Sequence, residues 1–388
     1  MTFRDDSIRR AAGLRQVRPL LMLTLFAVGV MMAACGSTPP DVEEDTPTPT
    51  AASASGAATP ETPAPTPVSD GLAAFAEVPG IVDHTNQGWP RQVDGLNGRI
   101  TIHRQPQRIH TTSVGFDEIT AGLVPVDRFA AVGNAAKNPD YSNVAEILAD
   151  VPGIGRDPEE ITSVEADLVV ASPNRDADFI RALESVEITV VQIDLTPGPE
   201  GRIQTILLLG YIYGEEERAL ELAAEVRART DFVADVVASL DGTPDSAPTV
   251  MYTAKYSDNI TTSGGGTTAE AITLAAGGVC APCAAGLTGH PRIGLESIIE
   301  IDPDVIILAM PPDEGAAYLD ELLTTPALAA VTAVRQQQVY LLPSRFHTTL
   351  SYENVRGIEQ LAAVLWRGHF PDEFRDSPPP FTLPATRE

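Results

Sequence analysis

Six short apolar runs, separated by segments of helical period, constrain the fold of this chain more than any other feature. They are Phe129–Val132, Leu168–Ala171, Val190–Ile193, Val250–Tyr252, Val305–Leu308 and Val339–Leu342. Short β-branched runs predict buried strands, and their alternation with helical segments is typical of α/β proteins with mainly parallel sheets.

The middle of the chain departs from this alternation. Two successive helices are predicted there, Arg202–Tyr213 and Glu215–Leu240, with Gly214 as the break between them. The second would be about 39 Å long at 1.5 Å per residue. A helix of that length can join two lobes, so we expect a lobe boundary on each side of it.

A short internal repeat supports two related lobes. Glu159 lies eight residues before Asp167, which opens one predicted strand, and Glu296 lies eight residues before Asp304, which opens another. An acidic residue in a first helical turn also complements the helix dipole, so either glutamate alone has a structural explanation. Two equivalent acidic positions instead favour docking onto a two-fold symmetric partner with basic pockets.

The first 34 residues are predicted to be an export signal. Four arginines give it a basic start: Arg9, Arg10, Arg15 and Arg18. The apolar run 19–32 follows and ends in Met32-Ala33-Ala34-Cys35-Gly36, which resembles the bacterial lipobox except that Met32 replaces the usual leucine. We therefore expect acylation of Cys35; a plain secretory signal or an N-terminal membrane anchor is the alternative, and the export route stays open.

The amino-acid composition distinguishes a predicted tether from the globular part of the chain and disfavours nucleic acid as a partner. Residues 37–70 are dominated by Pro, Thr, Ala and Ser, which cannot bury enough apolar surface to fold. Over the whole chain, 26 Lys and Arg stand against 53 Asp and Glu. Because nucleic-acid binding depends on clustered basic residues, we expect no nucleic-acid partner.

These observations divide the chain into six parts. They are the lipoprotein signal peptide 1–34, the lipidated Cys with a disordered Pro/Thr/Ala-rich linker 35–88, an N-terminal α/β lobe 89–200, a helical connector with the lobe-spanning helix 201–241, a C-terminal α/β lobe 242–370 and a Pro-rich tail 371–388.

Between Trp89 and Trp366 the chain resembles the ABC-importer binding proteins for iron–siderophores, cobalamin and haem. The segments that carry the resemblance are Trp89–Gly95, Gly98–Ile102, Pro106–Ile109, Val151–Gly155, Ala166–Val170, Gly265–Thr268, Ala275–Gly278, Asp302–Ile307, Val339–Tyr340 and Leu361–Ala362. Each segment alone is weak evidence for the family, but the order and spacing of all of them together are specific to it. His110-Thr111-Thr112 departs from the family pattern, which has a more apolar strand end there.

The resemblance implies a fold and a set of partners. The fold class is α/β, with two Rossmann-like lobes of mainly parallel sheets joined by a long rigid helix and a ligand between them. Family members dock through one glutamate per lobe onto arginines of a permease dimer, and Glu159 and Glu296 occupy the matching positions. The implied partners are an ABC permease dimer with its ATPase, a small-molecule metal chelate, and the membrane through the lipid anchor.

The ligand is expected where strand-end loops of the two lobes meet. Aromatic faces there would cover a planar macrocycle, and arginine would pair with a carboxylate or a siderophore's negative charge. The candidates are Ser113, Tyr141, Asn174, Arg175, Tyr256, Asn259, Arg345, Phe346 and Tyr352. For each of them an ordinary surface-loop position is the alternative.

Three further features bear on the site. Thr262–Thr268 is glycine-rich and precedes a predicted helix, so its free N–H groups could meet an anion, but it lacks the Gly-Lys-Ser/Thr of a nucleotide loop. Cys280 and Cys283 favour a local disulfide over a zinc or redox role. The histidines form no metal-spaced cluster, so no metal site is expected; with haem as ligand, the axial candidates would be Tyr141, His290 and His347.

The sequence therefore predicts a binding protein that performs no chemistry. A Gly-x-Ser-x-Gly elbow, a His-Glu-x-x-His motif and a catalytic Cys–His context are all missing from the sequence, which disfavours an anchored enzyme. An extracellular sensor of the same fold remains open. Ferric siderophore and cobalamin are the preferred transported ligands, haem is third, and no cofactor of the protein's own is expected.

Overall fold

The computed structural model describes residues 72–240 and 247–384. The predicted export signal and Cys35 lie outside the described residues. The strands in chain order are β1 Arg91–Gly95, β2 Gly98–Ile102, β3 Ile109–Thr111, β4 Phe129–Gly133, β5 Gly153–Ile154, β6 Leu168–Ala171, β7 Thr189–Gln192, β8 Thr249–Tyr256, β9 Asn259–Thr262, β10 Val279–Cys280, β11 Arg292–Ile293, β12 Val305–Met310 and β13 Val339–Pro343. All six predicted apolar runs coincide with strands, although Ile193 lies one residue past the end of β7.

Helices fill most of the intervals between strands. They are α1 Val114–Leu123, α2 Pro158–Ser163, α3 Ala177–Glu184, α4 Pro199–Tyr213, α5 Glu216–Ala238, α6 Thr268–Ala275, α7 Ala281–Ala284, α8 Leu295–Ile301, α9 Pro312–Thr324, α10 Thr332–Arg335, α11 Ser344–His347, α12 Asn354–Leu365 and α13 Asp372–Asp376. Within the two described ranges, no helix is both long enough and apolar enough to cross a bilayer.

The N-terminal lobe is built on a five-stranded sheet of order β5-β4-β3-β6-β7, in which every pairing is parallel. Strand β6 is buried along its whole length. Leu168 and Val170 belong to the core on one face of the sheet, and Val169 and Ala171 to the core on the other. Successive strand residues point to opposite faces, so a continuous apolar run fits a sheet covered on both sides.

The C-terminal lobe repeats this plan with a mixed sheet of order β11-β9-β8-β12-β13, and β10 pairs with the start of β8. Strand β12 again divides its side chains, with Val305 and Ile307 in one core and Ile306 and Leu308 in another. Strands β9 and β11 are antiparallel additions at one edge. The predicted α/β class with mainly parallel sheets is therefore confirmed.

Helices α4 and α5 connect the lobes. Gly214 ends α4 in the left-handed conformation with φ of 71°, as expected for a glycine that terminates a helix. Helix α5 is about 34 Å long at 1.5 Å per residue. Its Leu222 and Val226 pack in the core of the N-terminal lobe, and its Val233 packs in the core of the C-terminal lobe. The predicted lobe-spanning helix is confirmed.

A buried carboxylate also ties the lobes together. Glu118 on α1 accepts hydrogen bonds from Asn143 N at 2.7 Å and Asn143 Nδ2 at 2.8 Å. From the other lobe, the hydroxyls of Thr349 and Ser351 donate to its second oxygen. Burial raises the pKa of the Glu118 carboxyl, and these donors oppose that rise. We call Glu118, Asn143, Thr349 and Ser351 the seam.

The predicted end of the linker changes. The disordered linker was expected to reach residue 88, yet Phe75 and Val78 are buried in the core of the N-terminal lobe and Ile81 bridges to Val93. Burial of these apolar side chains contributes enough hydrophobic free energy to order the segment from residue 72 onward.

The Pro-rich tail packs along the outside of α5 and α12. Phe381 lies with its ring 4.8 Å from that of Tyr352, and the Arg229 guanidinium lies 4.1 Å from the Phe381 ring. Arg229 also donates to Pro379 O at 2.8 Å, and Arg356 to Pro378 O at 2.9 Å. We call residues 377–383 the strap, because they run from the C-terminal lobe to the core of the N-terminal lobe.

Candidate functional site

The carboxyl ends of the parallel strands in the N-terminal lobe open into a cavity of about 560 Å³, which we call the N-lobe cavity. Its polar lining comes from the ends of β3, β4, β6 and β7, from α1 and from the loop before α2. These residues are His110, Thr111, Thr112, Ser113, Asp117, Asn134, Arg156, Ser172, Asn174, Arg175 and Asp194. Open α/β sheets bind ligands at this edge.

Two arginines face the N-lobe cavity. Arg175 donates from Nη2 to Thr112 O at 3.3 Å and lies 5.1 Å from the Phe179 ring. Its Nε is buried and has no hydrogen-bond partner among the described residues. Burial, and beside it the positive charge of Arg156, lower the pKa of the Arg175 guanidinium. The two guanidinium groups therefore lie close enough to repel each other.

The floor of the N-lobe cavity consists of two buried titratable groups. Asp117 accepts a hydrogen bond from Thr111 Oγ1 at 2.8 Å, and burial raises the pKa of its carboxyl well above the ordinary value. His110 Nδ1 donates to Ala131 O at 3.0 Å, and burial lowers the pKa of this imidazole. Both shifts favour the uncharged forms, so the charge of the cavity comes from its arginines and from Asp194 at the rim.

The C-terminal lobe has its own cavity of about 660 Å³, the C-lobe cavity. It meets the N-lobe cavity at Asp194, Leu195 and Leu350, which line both. Its other polar residues are Tyr252, Thr253, Tyr256, Thr261, Ser263, Thr267, Thr268, His290, His347 and Thr348. The two cavities thus form one cleft between the lobes.

A buried relay lies behind the C-lobe cavity. Tyr252 hydroxyl donates to His347 Nδ1 at 2.9 Å, and His347 Nε2 donates to Gln360 Oε1 at 3.0 Å. Burial lowers the pKa of His347 to about 4. Because both ring nitrogens are already engaged, His347 is not free to serve as an axial haem ligand, and this part of the prediction is corrected.

Tyr141 of the N-terminal lobe and Tyr256 of the C-terminal lobe lie near each other. Burial raises the pKa of Tyr141, and the nearby Tyr256 and Glu314 add to that rise. Burial and the charge of Glu314 likewise raise the pKa of Tyr256, whose side chain is still 48% exposed and lines the C-lobe cavity. Tyr141 itself lines neither the N-lobe cavity nor the C-lobe cavity.

The N–H groups of the three glycines in the loop before α6 are not free. Gly264 N donates to Gly289 O at 2.8 Å, and Gly265 N donates to Leu287 O at 2.9 Å. Gly266 N donates to Glu270 Oε2 at 2.6 Å. These glycine donors serve neighbouring backbone and a carboxylate of the following helix, and Gly266, Thr267 and Thr268 line the C-lobe cavity.

The cysteine pair lies at the amino end of α7. The sulfurs of Cys280 and Cys283 form a disulfide, and Cys283 N donates to Cys280 Sγ at 3.3 Å. Among the residues that the structure describes, no group of three or more His, Cys, Asp or Glu side chains could hold a metal ion.

Glu159 and Glu296 occupy corresponding places in the two lobes. Both are exposed in the first turns of α2 and α8, the helices that precede β6 and β12. A helix that feeds a strand runs back along it, so its amino end lies at the carboxyl edge of the sheet. Each glutamate is therefore at the edge of its lobe where the cleft opens.

Comparison with known proteins assigns this architecture to a family. Residues 110–346 match the family described as Periplasmic binding protein. The chain belongs to this family. A cobalamin-binding protein of Halobacterium salinarum is 24% identical over 241 residues, which cover 62% of this chain and 62% of that relative. The match thus spans less than two thirds of the relative's length.

Solved structures of similar fold include other periplasmic binding proteins. The haem-binding protein RhuT of Roseiflexus sp. RS-1 is 21% identical with a TM-score of 0.60, covering 68% of this chain and 99% of that one. The haem-binding protein HutB of Vibrio cholerae is 20% identical with a TM-score of 0.58, covering 67% and 99%. At these identities the likeness shows the fold.

The structure distributes the predicted ligand residues of this periplasmic binding protein unevenly. Ser113, Asn174 and Arg175 line the N-lobe cavity, and Tyr256 lines the C-lobe cavity. Asn259 is exposed at the start of β9 and lines neither.

Three of the predicted residues lie elsewhere. Arg345 donates to Pro139 O at 3.3 Å and lines a separate groove of about 320 Å³. Phe346 is buried beneath the guanidinium of Arg356, at 4.0 Å, and Tyr352 is fully buried in the core of the N-terminal lobe. Phe346 and Tyr352 are thus corrected from ligand contacts to core residues.

Sequence reasoning missed several residues of the cleft. Arg156, Asp117 and Asp194 line the N-lobe cavity, and Tyr252 lines the C-lobe cavity. One available signal was the polar strand end His110-Thr111-Thr112, because polar residues at the carboxyl end of a buried parallel strand indicate a ligand edge.

Proposed function

We propose that this periplasmic binding protein is the extracytoplasmic substrate-binding component of an ABC importer. The observation that carries the proposal is the cleft, in which a cavity from each lobe meets at Asp194, Leu195 and Leu350. Together the two cavities exceed the roughly 1,000 Å³ upper end of pockets for drug-sized molecules. A bulky ligand gripped from both sides fits this space, and the protein itself needs no cofactor to hold it.

The ligand class we propose is a metal chelate or corrinoid, with ferric siderophore and cobalamin preferred. Hydroxyls and arginines at the strand ends can bind polar groups of such a ligand, and Tyr256 offers an aromatic face. The cobalamin-binding relative supports this class. Haem is the third candidate, because Tyr141 and His290 remain as axial candidates, of which His290 lines the C-lobe cavity, and several similar structures are haem-binding proteins.

The proposed partner is a permease dimer with its ATPase. Glu159 and Glu296 support it, because one exposed carboxylate at the open edge of each lobe matches a two-fold symmetric surface. A sensor of the same fold would use the same cleft without this docking, so the two glutamates separate the two functions.

The proposed location is the outer face of the cytoplasmic membrane or the periplasm. It rests on the lipobox-like segment ending in Cys35 and on the Pro- and Thr-rich stretch that follows. By its composition, we propose that this stretch acts as a tether between a lipid anchor and a folded domain.

The proposal is tested by purifying the full-length protein from its native host and recording its visible spectrum. A corrinoid, a ferric siderophore and haem each give a distinct absorption spectrum, so we expect one of the three. Ligand-free protein is then titrated with cyanocobalamin, ferric siderophores and hemin, with tryptophan fluorescence as the readout. Absence of a bound chromophore together with failure to bind any of these probes contradicts the proposed function.

A further inference from the structure

We infer that docking of the strap and binding of a ligand in the cleft are coupled, so that each stabilises the other. The inference rests on the proposed function in one respect, the location of the ligand in the cleft. Three observations support it: the way the strap is held, a relay that joins the C-lobe cavity to the start of the strap, and a loop that contacts both cavities and the strap.

Side chains rather than a strand ladder hold the strap. Its three successive prolines, residues 378–380, have no N–H groups, so their backbone can pair only through carbonyl oxygens. Because the donors to the strap are arginine side chains of α5 and α12, the strap can detach while both helices stay folded. These contacts run from Arg356 to Pro378 O, from Arg229 to Pro379 O and from Arg218 to Thr382 O.

Docking of the strap depends on the position of one lobe relative to the other. Helix α12, which carries Arg356, packs with Ile358 and Leu361 in the core of the C-terminal lobe. Phe381, three residues after Pro378, is buried in the core of the N-terminal lobe. A shift of one lobe against the other therefore separates the two parts of the surface that the strap occupies, and the docked strap favours one arrangement of the lobes.

The relay behind the C-lobe cavity continues to the start of the strap. Tyr252 and His347 line that cavity, and His347 donates to Gln360 at 3.0 Å. Gln360 Nε2 in turn donates to Arg375 O at 2.8 Å, two residues before the strap begins. Gln360 is 1% exposed and lines neither cavity. A displacement of Tyr252 by a ligand therefore reaches the strap through two buried side chains.

The loop that precedes α12 forms a second connection. Leu350 lines both cavities, and the Ser351 hydroxyl donates to Glu118 of the N-terminal lobe. Tyr352 packs its ring against that of Phe381 in the strap. Consecutive residues of one short loop thus contact the cleft, the seam and the strap, so a ligand that orders this loop favours the docked strap.

The coupling acts in both directions. If a bound ligand raises the equilibrium constant for strap docking by some factor, the docked strap raises the affinity for that ligand by the same factor. A strap that only covers apolar surface would lack this linkage. Exposure of the strap to a protease and affinity for the ligand therefore measure one quantity.

Cleavage by chymotrypsin after Phe381 measures how often the strap detaches, because Phe381 is 5% exposed when docked. The ligand-free full chain is compared with Tyr252→Phe, which removes the hydroxyl that begins the relay, and with the control Tyr340→Phe, which removes a hydroxyl of the same lobe outside the relay. We expect release of peptide 382–388, followed by mass spectrometry, to be about threefold faster in Tyr252→Phe, the effect of one weakened hydrogen bond, and unchanged in Tyr340→Phe.

The second measurement adds cyanocobalamin, a ferric tris-catecholate or hemin at saturation. The probe that binds should slow cleavage after Phe381 by about fivefold or more, as ordinary coupling between two sites does. Phe381→Ala should weaken binding of that probe by a similar factor, although Phe381 lines neither cavity. Phe75→Ala is the matched control, because it removes a phenylalanine of the same core outside the strap.

Three results overturn the inference while leaving the proposed function intact. They are a bound probe that does not change the cleavage rate, equal cleavage rates in Tyr252→Phe and Tyr340→Phe, and equal affinities of Phe381→Ala and Phe75→Ala. If Phe381→Ala fails to fold, the two cleavage comparisons decide. If no probe binds, the proposed function fails, and the ligand-free comparison still decides whether the C-lobe cavity and the strap are coupled.

Discussion

The two lobes share a plan and differ at the edge that faces the ligand. In the five-stranded sheet of the N-terminal lobe all strands are parallel, and the strand ends carry hydroxyls beside two arginines. In the C-terminal lobe the antiparallel pair β9 and β11 extends one side, and the cavity carries tyrosines and histidines instead. Equivalent sheets can therefore divide the recognition of one ligand, because the strand ends vary while the buried strands keep their packing.

The largest expected effect concerns docking of the two lobes onto the proposed permease. Glu159→Lys combined with Glu296→Lys should reduce uptake by the importer by about a hundredfold or more, because each new lysine repels a basic pocket instead of pairing with it. Ligand affinity should stay unchanged, since neither residue lines a cavity. Uptake is measured in cells that depend on this importer.

The single variants sharpen the same comparison. If the outer surfaces of the lobes are equivalent, Glu159→Lys and Glu296→Lys should reduce uptake to similar extents. Uptake that survives in the double variant contradicts the docking proposal and favours a sensor.

Whether the lobes behave as one folding unit depends on the seam. Glu118→Ala removes an acceptor that serves donors from both lobes, and we expect the free energy of unfolding to fall by about 3–5 kcal/mol. Glu184→Ala, an exposed glutamate of α3, is the matched control. Urea unfolding followed by fluorescence gives both values, and a loss below 1 kcal/mol (about the effect of a surface substitution) would show that the seam is dispensable.

Glu118 of the seam should also influence how the free energy of unfolding depends on pH, through its neighbour Glu353. Burial, followed by the negative charge of Glu118, raises the pKa of Glu353 from 4.5 to about 7. Between these values the folded protein keeps a proton that the unfolded chain releases, so stability should fall as pH rises through the window, by up to about 3 kcal/mol. Glu353→Gln should flatten this part of the profile, as measured by urea unfolding at successive pH values. If the free energy of unfolding of Glu353→Gln still falls with pH as steeply as that of the unmodified protein, another titratable group causes the pH dependence.

The smallest expected effect compares the contributions of the two cavities to ligand binding. Tyr256→Ala should weaken ligand binding by roughly 1 kcal/mol, the contribution of one aromatic contact. Added salt should weaken binding equally in this variant and in the unmodified protein, because no charge is removed. Arg175→Gln should instead reduce the salt dependence. Titrations at low and high sodium chloride compare the two, and equal salt responses would remove the distinction between the cavities.

Local patterns predicted the elements of this fold well. The six strands are continuous apolar runs, and Gly214 marks a helix end through its own backbone freedom, so neither depends on distant residues. Residues at strand ends, such as Ser113 and Asn174, were also found, because topology alone carries them to the cleft.

What sequence reasoning missed depends on partners far along the chain. Tyr352 looked like a loop aromatic, but Phe381 and the core around Leu222 bury it. The nitrogens of His347 are engaged by Tyr252, 95 residues away, and by Gln360. Such contacts follow from packing, and no local pattern signals them.

The strap has a consequence for how the protein matures. Phe381 and Leu383 pack on a hydrophobic core whose other buried members begin at Phe75, so the lobe that is synthesised first is completed by residues that follow the second lobe. Until those residues emerge from the ribosome or the export channel, part of that core stays uncovered. A nascent chain that lacks the strap therefore exposes apolar surface of the N-terminal lobe.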